Sequence, residues 1–123
     1  MQTARKPDWF IAASKSLQLI EENLCAYKSE DREAPNEAVI NAVREFLKGL
    51  SSRVPKDWNI AEPKLFVSPN GQIVATMGCR PQTLNIRFAP EVTFLFKHPD
   101  LGTSKGNGLE ATICLVLEHF RTF

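Results

Sequence analysis

Apolar and polar side chains alternate over residues 64–97, and this alternation is the clearest pattern in the chain. It is most regular at Leu84, Ile86 and Phe88, where one polar residue lies between each apolar residue and the next. Because successive side chains of a β-strand point to opposite faces of a sheet, such alternation predicts half-buried strands. The same pattern before and after this stretch predicts four strands that share one apolar face.

Turn signals separate the four alternating stretches. Pro69, Asn70 and Gly71 form the strongest signal, because Asn and Gly tolerate the positive φ that tight hairpin turns require. Residues 78–81 and 89–91 are weaker turn signals at the spacing that a meander needs. The four strands are therefore expected to run antiparallel, each beside the next one in sequence.

Three other stretches carry apolar side chains at the three- and four-residue steps that are typical of amphipathic helices. The first starts at Asp8, the second follows Asn36, and the third follows the glycine-rich residues 102–108, which we expect to form a flexible loop. The apolar positions of these helices are Phe10, Ala13, Leu17, Ile20 and Leu24, then Val39, Val43, Phe46 and Leu50, and finally Leu109, Ile113, Val116 and Phe120. The sequence predicts one two-layer α+β domain over residues 1–123, with two N-terminal helices, a four-stranded antiparallel meander and a C-terminal helix.

The predicted sheet has a second face that is mostly polar but carries Phe66, Val74 and Leu95. We expect the helices to cover the other face, which includes Ile73, so that this second face is open to water. Isolated apolar side chains are common on protein surfaces, whereas a contiguous apolar patch indicates a binding surface. Together with Arg87, the three apolar residues form the predicted binding surface, either for a partner protein or for a second copy of the chain.

Composition and charge narrow the function classes only a little. The 15 Lys and Arg residues nearly balance the 14 Asp and Glu residues, so a net charge of +1 provides no global attraction to nucleic acid or to an anionic membrane. The apolar runs are too short to cross a bilayer, and the N-terminus lacks the features of a signal peptide. Cys25, Cys79 and Cys114 are widely spaced, which predicts neither a disulfide framework nor a zinc site. These features predict a cytoplasmic protein without a cofactor.

The residue types that commonly carry catalysis form no recognisable constellation. His98 and Asp100 are close in sequence but have no nucleophile beside them. His119 lies near the end of the last predicted helix, where the helix dipole favours a cation, so a structural role explains it. We therefore expect a protein that acts by binding rather than by catalysis.

The glycine-rich stretch before the last helix is an alternative binding site, for a small molecule or an anion. Lys105, Asn107 and Gly108 precede a predicted helix N-terminus, where backbone amides can hold an anion. The stretch lacks the G-x-x-x-x-G-K-[ST] pattern of a phosphate-binding loop, because its lysine stands before the glycine and no hydroxyl residue follows. Asn107 and Glu110 have instead the spacing of a helix-capping pair.

An RNA-binding sheet is a further alternative. Arg80, Arg87 and Lys97 are candidates for a shared polar face, and Phe66 is a candidate for stacking on a base. The third predicted strand lacks the aromatic side chains that are typical of RNA-recognition sheets. The sequence therefore disfavours a nucleic-acid partner.

Several of these features resemble a group of small bacterial α+β proteins without an assigned activity. The shared features are the second helix, the connector prolines Pro55 and Pro63, the hairpin FVSPNGQIVATM and the strands LNIRFAPEVTFLF. The resemblance covers roughly the middle of the chain and rests on turn chemistry, and Met77 stands where the group often has an aromatic residue. It implies the fold and a bacterial or phage origin, and it carries over no functional residue.

The sequence as a whole predicts a small cytoplasmic interaction or regulatory protein. Proteins of the antitoxin, immunity and inhibitor kinds act in this way, by binding a surface of their target. The prediction depends on the lack of a catalytic constellation and on the apolar residues of the open sheet face.

Overall fold

A computed structural model describes residues 8–24, 26, 33–55, 58–79, 81–89 and 91–122 of the 123-residue chain. The described residues form three helices, named α1 (Asp8–Glu22), α2 (Glu37–Arg53) and α3 (Leu109–His119). They also form strands named β1 (Asn59–Ile60), β2 (Lys64–Val67), β3 (Ile73–Cys79), β4 (Gln82–Phe88), β5 (Val92–His98), β6 (Gly102–Asn107) and β7 (Arg121–Thr122). Strands β2 to β6 make one antiparallel sheet in sequence order, while β1 and β7 pair with each other. The predicted α+β class and the antiparallel meander are therefore confirmed.

Local signals in the sequence set both ends of α2. The side-chain oxygen of Asn36 accepts a hydrogen bond from the backbone N–H of Val39 at 3.0 Å, which satisfies one of the amides left unpaired at a helix start. At the other end, the N–H of Val54 donates to the carbonyl of Leu50. Pro55 follows, and proline cannot continue a helix because it has no N–H.

The hydrophobic core lies between the helices and one face of the five-stranded sheet. Ile73 of β3 and Ile86 of β4 are fully buried there. Phe46 of α2 packs against Phe88 of β4, with ring centroids 5.6 Å apart. Phe94 of β5, on the same face, is half-buried. The alternation that predicted the strands therefore reflects burial on one side of the sheet.

The sheet has five strands, so the predicted four-stranded meander is one strand short. Gly102–Asn107, predicted to be a loop, forms β6 and pairs with β5 from Thr93↔Asn107 to His98↔Gly102. Nearly all of β6 is exposed, so it has none of the apolar alternation that identifies a half-buried strand. Backbone hydrogen bonds to β5, rather than side-chain burial, hold β6 in the sheet.

The start of α3 also differs from the prediction, because no side chain caps it. Gly108 is the N-cap residue, and its φ of 97° is a conformation that favours glycine. Glu110 accepts a hydrogen bond from Arg53 of α2 at 2.5 Å, so it connects two helices instead of closing a capping pair. Asn107, the predicted partner in that pair, is the last residue of β6.

Candidate binding surface on the open face of the sheet

The open face is the side of the five-stranded sheet that points away from the core. Residues that are opposite one another in an antiparallel register share a face, so the pairing of β2 to β6 defines its members. They form three rows across the strands: Phe66, Val74, Arg87, Thr93 and Asn107; then Lys64, Thr76, Asn85, Leu95 and Lys105; then Gly78, Thr83, Lys97 and Thr103. All but Val74, Thr76 and Leu95 are exposed.

The binding residues predicted from the alternation all belong to this face. Phe66, Val74 and Arg87 lie side by side on β2, β3 and β4, in one row. Leu95 lies on β5 in the next row, directly opposite Lys105 of β6. The side chain of Phe66 is 57% exposed, so a large apolar surface is available at this end of the row.

The fifth strand brings part of the alternative anion site onto the same face. Lys105 and Asn107 were predicted to lie in a loop, but β6 places both beside Leu95 and Thr93 of β5. Gly108, the third residue of that predicted site, donates its N–H to the carbonyl of Val92 at 2.8 Å. Its amide is therefore engaged within the sheet and is not directed at a ligand.

His98 lies on the opposite, helix-covered side of the sheet from Lys105. Its ring lies 6.0 Å from that of Phe96 and 6.2 Å from that of His119 on α3, measured between centroids. Its Nδ1 atom accepts hydrogen bonds from the backbone amides of Asp100 and Leu101, at 3.0 and 3.2 Å. His98 therefore stabilises the turn between β5 and β6 through these two hydrogen bonds.

Charge is strongly segregated onto the open face. Its strand positions carry four cations, Lys64, Arg87, Lys97 and Lys105, and no carboxylate. Glu91, in the turn before β5, precedes Thr93 by two positions and accepts a backbone hydrogen bond from Ala89, so it lies at the end of this face, beyond the strand positions. The rest of the chain has 11 of the 15 Lys and Arg residues and all 14 Asp and Glu residues. The near-neutral total therefore hides a basic face on a chain that is otherwise acidic.

Most of the open-face cations have no neutralising partner among the residues that the structure describes. Arg87, Lys97 and Lys105 are exposed and form no ion pair with any residue that the structure describes. Lys64 lies 3.8 Å from Glu62, a distance at the limit of an exposed ion pair, which contributes little. These charges therefore remain available to an external anionic group.

A shallow depression of about 750 Å³ lies on this face. Arg87 and Lys105 both line it, and since β5 separates their strands, their backbones are about 10 Å apart across the sheet. Val74 and Leu95 add apolar surface to the lining, and Asn85, Thr93 and Asn107 add uncharged hydrogen-bonding groups. The depression thus combines two unpaired cations with an aliphatic surface.

A second depression, of about 370 Å³, lies between α1 and α2. Phe10 and Leu17 contribute apolar surface to it, and Glu21 and Arg44 contribute opposite charges. Glu21 and Arg44 form an ion pair with each other, which leaves Lys48 as the one lining cation without an ion pair among the described residues, whereas the open-face depression has two. We therefore take the open face as the candidate site.

Other kinds of site are missing from the described ranges. Within residues 8–24, 26, 33–55, 58–79, 81–89 and 91–122, no group of three or more His, Cys, Asp and Glu side chains is arranged to hold a metal ion. No helix in these ranges is both long enough and apolar enough to span a membrane. Arg80, predicted to share the polar face, lies outside the described residues.

Comparison of the chain with models of known protein families, with curated proteins and with solved structures found no match. The resemblance to small bacterial α+β proteins therefore stays a prediction.

Sequence reasoning found only part of the basic character of the open face. The register confirms that Arg87 and Lys97 share this face, whereas Lys64 and Lys105 were not predicted to belong to it. Lys64 precedes Phe66 by two positions in an alternating strand, and this spacing is the signal that assigns it to the face. Lys105 gave no such signal, because β6 has no apolar alternation. The register of β6 against β5 was needed to bring it beside Leu95.

Proposed function

We propose that this chain is a small cytoplasmic interaction or regulatory protein that binds an acidic surface of a partner protein through its open face. The observation that carries the proposal is the set of four cations and no carboxylate at the strand positions of that face. Complementary charge steers association and disfavours wrong partners. Phe66, Val74 and Leu95 supply the apolar surface that a stable contact also needs.

Charge disfavours self-association through this face. Two open faces in contact would bring four cations from each copy together without a carboxylate at any strand position. Like charges in an interface cost several kcal/mol. A partner with acidic residues around an apolar centre avoids this cost, so a different protein is the better occupant.

A nucleic acid is the second candidate, because the same cations attract phosphates and the exposed ring of Phe66 is able to stack on a base. The side chains that line the depression on the open face favour a protein partner over a nucleic acid. Val74 and Leu95 are aliphatic, and the ring of Phe94, which also lines the depression, belongs to the opposite face of the sheet. Sheets that bind single strands instead use aromatic side chains for stacking. Aliphatic surface surrounded by charge is typical of a protein interface.

The proposed mode of action suits proteins of the antitoxin, immunity and inhibitor kinds. Such proteins need only cover a functional surface of their target, so they require affinity and specificity but no catalytic group. An open face of unpaired cations provides specificity for an acidic target.

The charge component is tested with fluorescent polyglutamate as the acidic probe and a single-stranded oligonucleotide of equal charge as competitor. Binding is measured by fluorescence anisotropy over a range of salt concentrations. We expect polyglutamate to bind more weakly as salt rises, and the double variant Arg87→Gln/Lys105→Gln to lose affinity by about 2-fold to about 30-fold. The control variant Lys15→Gln/Lys48→Gln removes the same charge from exposed positions on α1 and α2, and should bind as the wild type does.

The outcomes separate the candidate partners. An equal loss in both double variants would show that total charge, and not the open face, governs binding. Tighter binding of the oligonucleotide than of polyglutamate would favour the nucleic-acid candidate. No measurable binding of either polymer at low salt would reject the proposal.

The apolar component is tested with a copolymer of Glu and Tyr that has the same charge as the polyglutamate. We expect the wild-type protein to prefer the copolymer, because the tyrosine rings bury apolar surface against the open face. Phe66→Ser/Leu95→Ser should remove this preference. Leu19 on α1 is 58% exposed, about the same as Phe66, so Leu19→Ser is the matched control and should keep the preference for the copolymer. A preference that survives the double substitution would contradict the role of these residues.

A further inference from the structure

Strand β6 forms one edge of the five-stranded sheet. In the part of the chain that the structure describes, no strand or helix pairs with its outer edge. An unpaired strand edge carries a row of backbone donors and acceptors that are able to bind another strand. Nearly every residue of β6 is exposed, so water and ligands reach this edge.

The hydrogen bonds between β5 and β6 decide which residues direct their backbone toward the free edge. Gly108 donates to the carbonyl of Val92 at 2.8 Å, so these opposite residues form a hydrogen-bonded pair. Bonded and non-bonded pairs alternate along an antiparallel ladder. The β6 residues of the non-bonded pairs are Thr103, Lys105 and Asn107, and their N–H and C=O groups point outward.

The β4–β5 ladder gives the same assignment independently. Ala89 donates to the carbonyl of Glu91 at 3.2 Å, which makes this pair hydrogen-bonded and therefore also makes the pair Asn85↔Leu95 hydrogen-bonded. The backbone groups of Leu95 thus point toward β4 and away from β6. Lys105 of β6 is opposite Leu95 on the other side of β5, so its backbone N–H and C=O groups point to the free edge.

We propose that an extended acidic segment of the partner protein adds to β6 as a sixth strand. This proposal rests on the proposed function and specifies how the partner binds. The segment would exchange backbone hydrogen bonds with Thr103, Lys105 and Asn107, as peptides do when they extend an exposed sheet edge. An acidic side chain opposite Lys105 forms a favourable cross-strand pair on the open face.

The other face of β6 favours small or apolar side chains in the added strand. Gly102, Ser104 and Gly106 lie on this face, and a Cβ atom placed at Gly102 would have no heavy atom other than those of its chain neighbours within 4 Å, so there is open space at that end. The ring of Phe94 already lies over Gly106, because a Cβ atom placed there would come within 2.4 Å of the Phe94 Cζ atom. Alternate residues of the bound segment would therefore be acidic on the open face and apolar beside Phe94.

Neither a second copy nor the opposite edge offers an equivalent site. Pairing of β6 with β6 around a two-fold axis would put two copies of Lys105 on the same face, and lysine at an edge disfavours such pairing. At the other edge, Glu33 donates its N–H to the carbonyl of Pro69 and forms a parallel bridge with Asn70. Glu33 thus lies beside the turn that follows β2, and α1 contacts β2 itself.

The first test uses peptides of alternating Glu and Val, with and without N-methyl groups on alternate amides. Because N-methylation removes the backbone donors on one edge only, both complementary methylation patterns are made. We expect the methylation pattern that faces β6 to weaken binding about tenfold, through loss of hydrogen bonds. Binding of the unmethylated peptide should slow hydrogen exchange at the amides of Thr103, Lys105 and Asn107, as measured by NMR.

The second test removes one outward amide from the protein and keeps its charge. Thr103→Pro deletes an N–H that is not bonded to β5, and proline is tolerated at such edge positions. We expect a loss of about threefold to tenfold in peptide affinity, whereas Thr103→Val, which keeps the N–H, should have no effect. If the proline variant fails to fold, the N-methylated peptides still test the same backbone hydrogen bonds on the wild-type protein.

The two tests distinguish failure of this inference from failure of the proposed function. Salt-dependent peptide binding that neither methylation pattern weakens, with unchanged exchange at Thr103, Lys105 and Asn107, would refute strand addition and leave binding by the open face intact. No binding of the peptide or of polyglutamate would refute both.

Discussion

A single substitution at Thr93 tests whether the open face is as basic as the register implies. Thr93 of β5 is directly opposite Arg87 of β4, and Lys105 of β6 is its diagonal neighbour. A carboxylate at position 93 would lie between two cations that have no partner among the described residues. We therefore compare Thr93→Glu with Thr93→Gln, since these side chains have nearly the same shape and differ in charge.

The register and the exposure of this pair set the expected magnitude. An opposite-charge pair across two strands contributes about 0.2 to 1 kcal/mol, and Arg87 is exposed, so the effect is not larger. For a domain of this size, the difference corresponds to a melting temperature about 1 to 4 °C higher for Thr93→Glu than for Thr93→Gln. Because both variants lose the β-branched threonine, their comparison cancels the change in strand propensity.

Thermal unfolding followed by circular dichroism measures this difference. It should disappear in about 1 M salt, which screens the pair, and at acid pH, where the introduced carboxyl is protonated. The same Thr93→Glu substitution should weaken polyglutamate binding, because it neutralises part of the site. Equal melting temperatures for the two variants at low salt and neutral pH, or unchanged polyglutamate binding by Thr93→Glu, would show that position 93 does not lie between two unpaired cations.

Three further predictions concern the fold. Phe88→Ala should reduce the free energy of unfolding by about 3 to 5 kcal/mol, measured by urea denaturation, because it leaves a cavity in the core; a loss below about 1 kcal/mol would contradict the packing. Asn36→Ala should cost about 1 kcal/mol by removing the cap of α2, and an unchanged denaturation midpoint would argue against that cap. The hydrogen bond from Arg53 holds the pKa of Glu110 below its ordinary value, so the stability that this pair contributes is present at neutral pH and is lost as pH falls through that lowered pKa. The small stability difference between the wild type and Glu110→Gln should therefore shrink in acid, and a difference that grows in acid would contradict this sign.

The sequence predicted those parts of the fold in which side-chain burial repeats regularly. Leu84, Ile86 and Phe88 alternate along β4 because one face of that strand meets the core, and all three are fully buried. The sequence did not predict β6, because backbone hydrogen bonds hold Gly102–Asn107 in the sheet and nearly all of its residues are exposed. Backbone pairing leaves little trace in the pattern of side chains.

The candidate site could be predicted only in part for a related reason. Alternation was sufficient to assign Phe66, Val74, Arg87 and Leu95 to one face. The charge of that face depends on residues from separate strands, and net charge averages over the whole chain. Lys105 could join the others only once β6 was known to pair with β5.

NMR chemical-shift mapping during a polyglutamate titration shows, residue by residue, whether the open face binds an acidic partner. At low salt, we expect saturable shifts of the backbone amides on the open face, largest near Arg87, Leu95 and Lys105. Shifts confined to the groove between α1 and α2, or no shifts at all, would contradict it.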